Sequence, residues 1–212
     1  MLSVRPVLSR GVATVEFYVV ALLALLPLLL GTLQMSLLLV ANHHVDYATF
    51  SAARRGAVAH GDPDAMREGF IQAVIPLFVS SDEPLNRENV VARVATAYAK
   101  AVVDISLHTR FTTLAPDDAT QREFSIERER RLVIPNDSLN YRSSEVQEAN
   151  LLKLEVSYCH PLLVPFAREL LIAALRTIDH EPWHQYCYAS GRVPLRSVGI
   201  TPMQSDFWVR GG

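Results

Sequence analysis

The stretch that decides the fold reads RGVATVEF at residues 10–17, and it leads directly into an apolar run that continues to Val40. A short leader ends at Gly11, and Glu16 then places one carboxylate at the start of the apolar run. As a helix, Phe17 to Val40 would be about 36 Å long, which exceeds the ~30 Å hydrocarbon core of a bilayer. We therefore predict a transmembrane helix over 12–41 that carries a glutamate in its first turns.

A glutamate at the edge of a membrane helix is costly unless a positive group pairs with it. Cleavage between Gly11 and Val12 would create a free amine about one helical turn before Glu16. Such a cut would separate a short basic leader over 1–11 from the apolar helix.

The orientation of the chain follows from the charge of the leader, which contains Arg5 and Arg10 and no acidic residue. The positive-inside tendency keeps such a segment in the cytoplasm and exports the residues after about 41. The apolar run is too long for the core of an ordinary secretory signal, and no small-x-small cleavage site follows it.

The helix is expected to continue beyond the lipid as an extension over 42–60. Small and apolar residues recur there at helical spacing, so that another element can approach closely. These residues are Val45, Ala48, Ala52, Gly56 and Ala59. Gly61 to Pro63 should end the helix, and Pro27 should kink it within the membrane.

The remaining residues, 61–212, are predicted to form an exported α+β domain with a small antiparallel sheet. We expect Asp64 to cap a helix that runs to about Ile75, Pro76 to end or kink this helix, and a loop over Ser80–Pro84. Further helices are expected over 87–107, with Val94 facing inward, and over 165–178. Strands are expected over 125–134, with an exposed charged edge, over 151–158, and more weakly over 195–201, where Gly199 interrupts the pattern.

Two cysteines, Cys159 and Cys187, lie in the part of the chain that is expected to be exported. In an oxidising compartment the most plausible state of such a pair is a disulfide. The closed loop would stabilise the fold by about 3–4 kcal/mol on the chain-entropy model. Two unrelated buried thiols are the alternative.

A second motif, HEPWH at residues 180–184, matches the HExxH pattern of zinc proteases. That chemistry needs His180 and His184 on one face of a helix, with Glu181 acting as base. Pro182 disfavours a continuous helix through the motif, so we interpret it as a surface loop inside the segment closed by the disulfide. An exported zinc enzyme remains a rival hypothesis, which stoichiometric zinc binding would support.

The order of basic leader, Gly11, four residues, Glu16, an aromatic residue and an apolar helix resembles the processing site of type IV pilin-like subunits, and most closely the TadE-like pseudopilins of the tight-adherence (Tad) system. Other stretches also resemble that family, namely 52–56, 152–158, 161–165 and 200–205. Residues 62–150 add little to the resemblance, and Pro27 lies earlier than the kink proline of many type IV pilins.

The resemblance implies a minor pilin-like subunit that a prepilin peptidase processes and that is required to assemble a Tad pilus, with links to adhesion and biofilm formation. It implies a role for Glu16 and Phe17 in assembly and register. The implied partners are the prepilin peptidase, the inner-membrane assembly platform, other minor and major pilins, and membrane lipid. No cofactor, metal or catalytic activity is expected, and a net charge of −2 argues against bulk nucleic-acid binding.

The alternative is an uncleaved protein with a single span, anchored in the inner membrane, whose periplasmic domain binds a ligand or serves as a scaffold. The state of the bond between Gly11 and Val12 separates the two hypotheses.

Overall fold

The computed structural model describes residues 12–79, 86, 89–137 and 148–209, and its helices and antiparallel strands confirm the α+β class. Gly11 and the loop expected over 80–84 lie outside the described residues. In chain order the elements are α1 (Val12–Val20), a π-helical segment (Ala21–Leu25), α2 (Leu26–Val58), α3 (Pro63–Phe78), α4 (Val90–His108), β1 (Thr109–Ala115), α5 (Asp118–Phe124), β2 (Ile126–Arg128), β3 (Arg131–Ile134), β4 (Leu151–Pro161), α6 (Ala167–Ile178), α7 (Pro182–Ala189), β5 (Arg192–Pro202) and β6 (Phe207–Trp208).

The first three elements form one continuous helix, called the N-terminal helix below, which runs from Val12 to Val58. The π-helical segment ends immediately before the turn that holds Pro27. A proline ring collides with the carbonyl four residues earlier, and a wider π turn relieves that collision. The structure therefore accommodates Pro27 through a local change of helical pitch.

The expected cap of α3 is wrong, and of the two effects expected of Pro76 the end of the helix is excluded. The capping residue is Asp62, whose carboxylate accepts a hydrogen bond from the Ala65 N–H at 3.1 Å, while Asp64 lies in the first turn. The helix also continues through Pro76 to Phe78. Leu77 and Phe78 pack against the core, and this burial compensates for the hydrogen bond that proline cannot donate.

The helix expected over 87–107 is present as α4, which begins at Val90 and buries Ala97, Ala101 and Ile105. Val94 is exposed, contrary to the expectation that it faces inward. The buried positions follow one another at intervals of four residues, so the packed stripe is narrower than the one we predicted and leaves Val94 outside it.

Two three-stranded antiparallel sheets are present in the described part of the chain, with strand orders β1-β4-β5 and β2-β3-β6. The single strand expected over 125–134 is wrong, because Glu129 and Arg130 adopt positive φ and form the turn of a β2–β3 hairpin. β5 is longer than expected and Gly199 does not interrupt it, since this residue pairs with Leu154 of β4.

The main core lies where the outer part of the N-terminal helix crosses the β1-β4-β5 sheet, with α3 and α4 packed beside it. Leu152, Leu154 and Val156 of β4 face this helix and are buried. A second, smaller cluster holds Leu162 and Ile172 against Leu38. The N-terminal helix therefore contributes to both apolar clusters.

Candidate functional site

The predicted processing and assembly residues lie at the start of the N-terminal helix. Val12 is the first residue of α1, and Glu16 follows it by four residues in the same helix. The side chain of Glu16 is exposed, and Phe17 is 66% exposed. In the isolated chain these side chains are therefore accessible to lipid or to a neighbouring protein.

The part of the helix that follows is apolar on its whole circumference. Large apolar side chains are exposed along it, among them Tyr18, Leu22, Leu23, Leu26, Leu28, Leu29 and Leu33. A helix that is apolar all round requires either burial in a protein core or a membrane. Within the described residues, Thr14–Val58 is the one helix long and apolar enough to cross a bilayer.

The outer part of the helix is packed in a different way. Val45, Ala48 and Ala52 are completely buried, and Gly56 is buried beside Met66 of α3. The predicted stripe of small residues therefore faces the folded body. Because these side chains are short, α3 and the sheet approach the helix closely.

The helix approaches the sheet closely at Gly199. A Cβ at this position would lie 2.8 Å from the carbonyl oxygen of Thr49 and 3.2 Å from the Cβ of Ala53. The glycine that we expected to interrupt β5 instead allows the helix backbone to rest on the strand.

The structure contains the predicted disulfide between Cys159 and Cys187, with the Cα atoms 5.3 Å apart. Cys159 lies near the end of β4 and Cys187 lies in α7, and both are fully buried. The bond fixes α7 to the sheet. Trp183 contributes to the same contact, since its Nε1–H donates to the Oγ of Ser157 at 3.0 Å.

The HEPWH motif is not the surface loop that we predicted. Pro182 is the first residue of α7, a position that suits proline because its missing N–H would have no partner there. His180 and Glu181 precede the helix, so the two histidines do not share a helical face. His184 lies with Nδ1 at 2.7 Å from Asp179 and Nε2 at 3.0 Å from Glu181.

Hydrogen bonds around Asp179 hold the chain between α6 and α7. The backbone N–H of Glu181 and the hydroxyl of Tyr188 donate to this carboxylate, and together with His184 they lower its pKa below the usual value. Burial, together with the neighbouring carboxylate of Asp179, raises the pKa of Tyr188 to about 12. These partners place Glu181 and His184 of the motif in a local network.

Sequence reasoning missed a partly buried polar cluster that joins α4 to the sheet. Arg192 forms an ion pair with Asp104 at 2.6 Å, and the hydroxyl of Tyr158 donates to Asp104 at 2.8 Å. Burial, and then Asp104, raise the pKa of Tyr158 far above its ordinary value. The residues lie far apart in the chain, and no local pattern connects them.

His160 lies beside this cluster, and burial, followed by the charge of Arg192, lowers its pKa to about 4. The neutral imidazole is therefore the form that the folded protein favours. Among the described residues, no three His, Cys, Asp or Glu side chains are grouped so as to hold a metal ion.

The geometry thus combines an apolar helix, which carries a carboxylate in its first turns, with a folded body packed on the outer part of the same helix. Residues 11–54 match the family model of TadE-like proteins. The match begins at Gly11 and extends into the buried stripe of small residues, and it covers about a fifth of the chain. No curated protein and no solved structure matches the chain.

The resemblance to TadE-like proteins is therefore confirmed for the N-terminal helix. It associates the chain with the Tad pilus system and with pilin-like proteins in general terms. The apolar helix is consistent with a membrane anchor of a single span.

Proposed function

We propose that the protein is a TadE-like pseudopilin, a minor pilin-like subunit that is required for assembly of a Tad pilus. The observation that carries this proposal is the family match over 11–54, which coincides with the exposed apolar helix. A prepilin peptidase cuts between Gly11 and Val12. The mature chain then begins at the first residue of α1.

Glu16 supplies the assembly signal in this proposal. After cleavage the new amine lies one helical turn from the carboxylate, and in a medium of low dielectric such charges attract strongly. The amine of an incoming subunit and the glutamate of a neighbour can pair in the same way. Phe17 lies next to the carboxylate and presents an exposed ring to the adjacent helix.

The folded body lies in the periplasm, and the N-terminus begins in the cytoplasm of a bacterial cell. The basic leader supports this orientation through the positive-inside tendency. The buried disulfide is consistent with it, because such bonds persist in oxidising compartments. The remaining partners are the inner-membrane assembly platform and the other major and minor pilins.

The protein performs no catalysis in this proposal. The HEPWH motif lacks the helical placement that HExxH zinc proteases need, since His180 precedes α7. The purified full-length chain should therefore contain no stoichiometric zinc. Elemental analysis after dialysis, with and without added zinc, tests this expectation.

N-terminal sequencing of the protein recovered from membranes tests the processing step. In cells that contain the cognate peptidase, the mature protein should begin at Val12, and Gly11→Leu should leave the longer precursor. Ala24→Leu is the matched control, because it adds the same side chain at an exposed position of the apolar helix and should be processed normally. An uncut wild-type chain would instead identify a membrane-anchored binding or scaffold protein.

A further inference from the structure

The chain between β4 and α7 runs along the N-terminal helix toward the N-terminus of that helix and then reverses direction in α6. After Pro161 it leaves the sheet, and the N–H of Val164 donates to the side-chain oxygen of Gln34 at 2.9 Å. Gln34 is 2% exposed, although it lies within the apolar run. Its amide satisfies a backbone group in a segment that is not helical.

The chain reverses in a tight turn at Phe166. This residue has φ of 62° and ψ of −50°, and the N–H of Ala167 donates to the carbonyl of Pro165 at 2.7 Å. Such a γ-turn is rare and strained for an L-residue with a large side chain. The chain passes from this turn directly into α6. The reversal around Phe166, over residues 163–170, is called the tip below.

The tip lies against the part of the N-terminal helix that is predicted to be in lipid. Phe166 and Leu170 line a groove together with Leu22, Leu26 and Leu30. The second apolar cluster lies nearer the C-terminal end of the N-terminal helix, where α6 packs on Leu38. From Leu38 to Leu26 the helix rises about 18 Å, so the tip lies well inside the predicted hydrocarbon region.

The surface of this tip is apolar. Leu163 is 68% exposed, Phe166 is 74% exposed and Leu170 is 67% exposed. The neighbouring charged residues, Arg168 and Glu169, form an ion pair with each other at 2.8 Å. A paired charge is less costly in a membrane than an isolated one, so the ion pair lowers the cost of inserting this segment.

A wider groove adjoins the first one and shares Pro27, Ala167 and Leu170 with it. It has a volume of about 750 Å³, and its walls include Leu28 and Met35 of the N-terminal helix and Leu171 of α6. Gly31 also lines the groove, and an added Cβ there would meet no atom within 4 Å. The groove is mostly apolar, with Thr32, Gln34 and Ser36 as its polar lining residues.

We propose that residues 163–171 form a re-entrant segment that inserts into the membrane leaflet next to the folded body, with lipid acyl chains filling the two grooves. The inference rests on the membrane anchorage proposed above for the N-terminal helix. Backbone that is not helical is tolerated at membrane depth only where protein groups satisfy it. Gln34 supplies a partner for the N–H of Val164, and the carbonyls of Val164 and Pro165 accept from the N–H groups of Arg168 and Ala167. The body is thus seated partly within the membrane.

The test uses the full-length chain in vesicles of phosphatidylethanolamine and phosphatidylglycerol. A bimane fluorophore is attached without reductant to Phe166→Cys, so that the native disulfide stays closed. Leu23→Cys is the control within the membrane helix, and Ile178→Cys is the control at the far end of α6. The three native side chains are exposed to a similar degree, 74%, 76% and 74% for Phe166, Leu23 and Ile178.

Two quenchers separate the outcomes: a phospholipid with a nitroxide in the middle of its acyl chain, and aqueous iodide. The bimane at position 166 should be quenched strongly by the nitroxide lipid and almost not at all by iodide, and the bimane at position 23 should behave in the same way. The bimane at position 178 should be quenched mainly by iodide. Leu163→Cys should repeat the result for position 166.

The inference is overturned if position 166 responds to iodide like position 178 while position 23 is quenched by the lipid. It is also overturned if position 166 is shielded from both quenchers, because a protein partner or a second copy then covers the tip. Iodide quenching at position 23 itself would instead contradict the membrane anchorage on which the inference rests.

Discussion

The two parts of the N-terminal helix differ in how they use the same regular backbone. The part before Gln34 exposes large leucine side chains on its whole surface, and the part after it buries small side chains on one stripe. Lipid requires only that the exposed side chains are apolar, so side-chain volume is free to vary in the first part. Close packing on a sheet fixes the volume at each position, and the second part therefore consists largely of alanine, glycine and valine at the contact.

The largest expected effect on stability comes from placing a large side chain in the packed part of the helix. Ala52 is fully buried against α3, where its Cα would lie 3.2 Å from a Cβ added to Gly69. Ala52→Trp should lower the free energy of unfolding by about 3 kcal/mol, because the backbones cannot separate without losing the rest of the core. Thermal unfolding of the full chain in detergent, followed by near-ultraviolet circular dichroism, measures the change.

Tyr47→Trp is the control, since Tyr47 is 64% exposed in the same part of the helix. It should unfold with the wild type. If Ala52→Trp unfolds with it, the stripe does not pack on the body, and residues 42–59 are a free stalk or a surface for neighbouring subunits.

The next effect concerns the boundary between the two parts. Gln34→Met keeps the length of the side chain and removes the acceptor for the N–H of Val164. A buried donor without a partner costs about 1–3 kcal/mol, so this variant should unfold at a lower temperature in the same assay. Met35→Leu, at an exposed neighbouring position, should leave the transition unchanged. Equal transitions for the two variants would show that the body begins beyond residue 34.

Much of this comparison was predictable from residues that lie close together in the sequence. The uncharged run after Glu16, the repeat of Ala48, Ala52 and Gly56, and the alternation along β4 each reflect one local periodicity. Each of these elements is present in the structure. The match to TadE-like proteins covers the same helical part of the chain.

The errors arose where contacts distant in the chain decide the structure. The hairpin turn at Glu129 and Arg130 has positive φ without glycine, so no turn signal marked it. Pro182 looked like a helix breaker, but it starts a helix that the disulfide holds on the sheet. The hydrogen-bond partner of Gln34 lies 130 residues away, so no local pattern indicates its role.

A smaller effect is a pH dependence of stability that arises in the folded body and not in the apolar part of the helix before Gln34. The ordinary pKa of His160 is 6.5, but burial lowers it to about 4 in the folded body. Arg192 also opposes protonation there, whereas Asp104 favours it. Between these values the unfolded state binds more protons, so stability is complete above about pH 6.5 and falls as the pH decreases toward 4. The loss between pH 7 and pH 5 should be about 1–2 kcal/mol.

Chemical denaturation of the full chain in detergent at the two pH values measures this loss. His160→Gln should reduce the difference, because it removes the group that titrates. The lowered pKa of Asp179 acts in a separate window, below its usual value of 3.8, and does not contribute at pH 5. An unchanged difference in His160→Gln would assign the pH dependence to another group.

The smallest effect on stability is expected at Glu16. Substitution of this residue is also the sharpest test of the function of the apolar part of the helix before Gln34. Glu16 lies in the first turns of an exposed helix, far from the packed stripe, so Glu16→Ala should unfold at the wild-type temperature and should still be extracted with the membrane fraction. The mature amine would lose its partner, and pilus assembly should fail although the subunit is present and processed. Glu16→Asp keeps the charge and should retain part of the assembly, which separates an electrostatic role from a steric one. Counting pili by electron microscopy, beside immunoblots of the membrane fraction, measures both quantities in one strain. Normal piliation with Glu16→Ala would show that the carboxylate is incidental, and the function of this part of the helix would then reduce to anchorage.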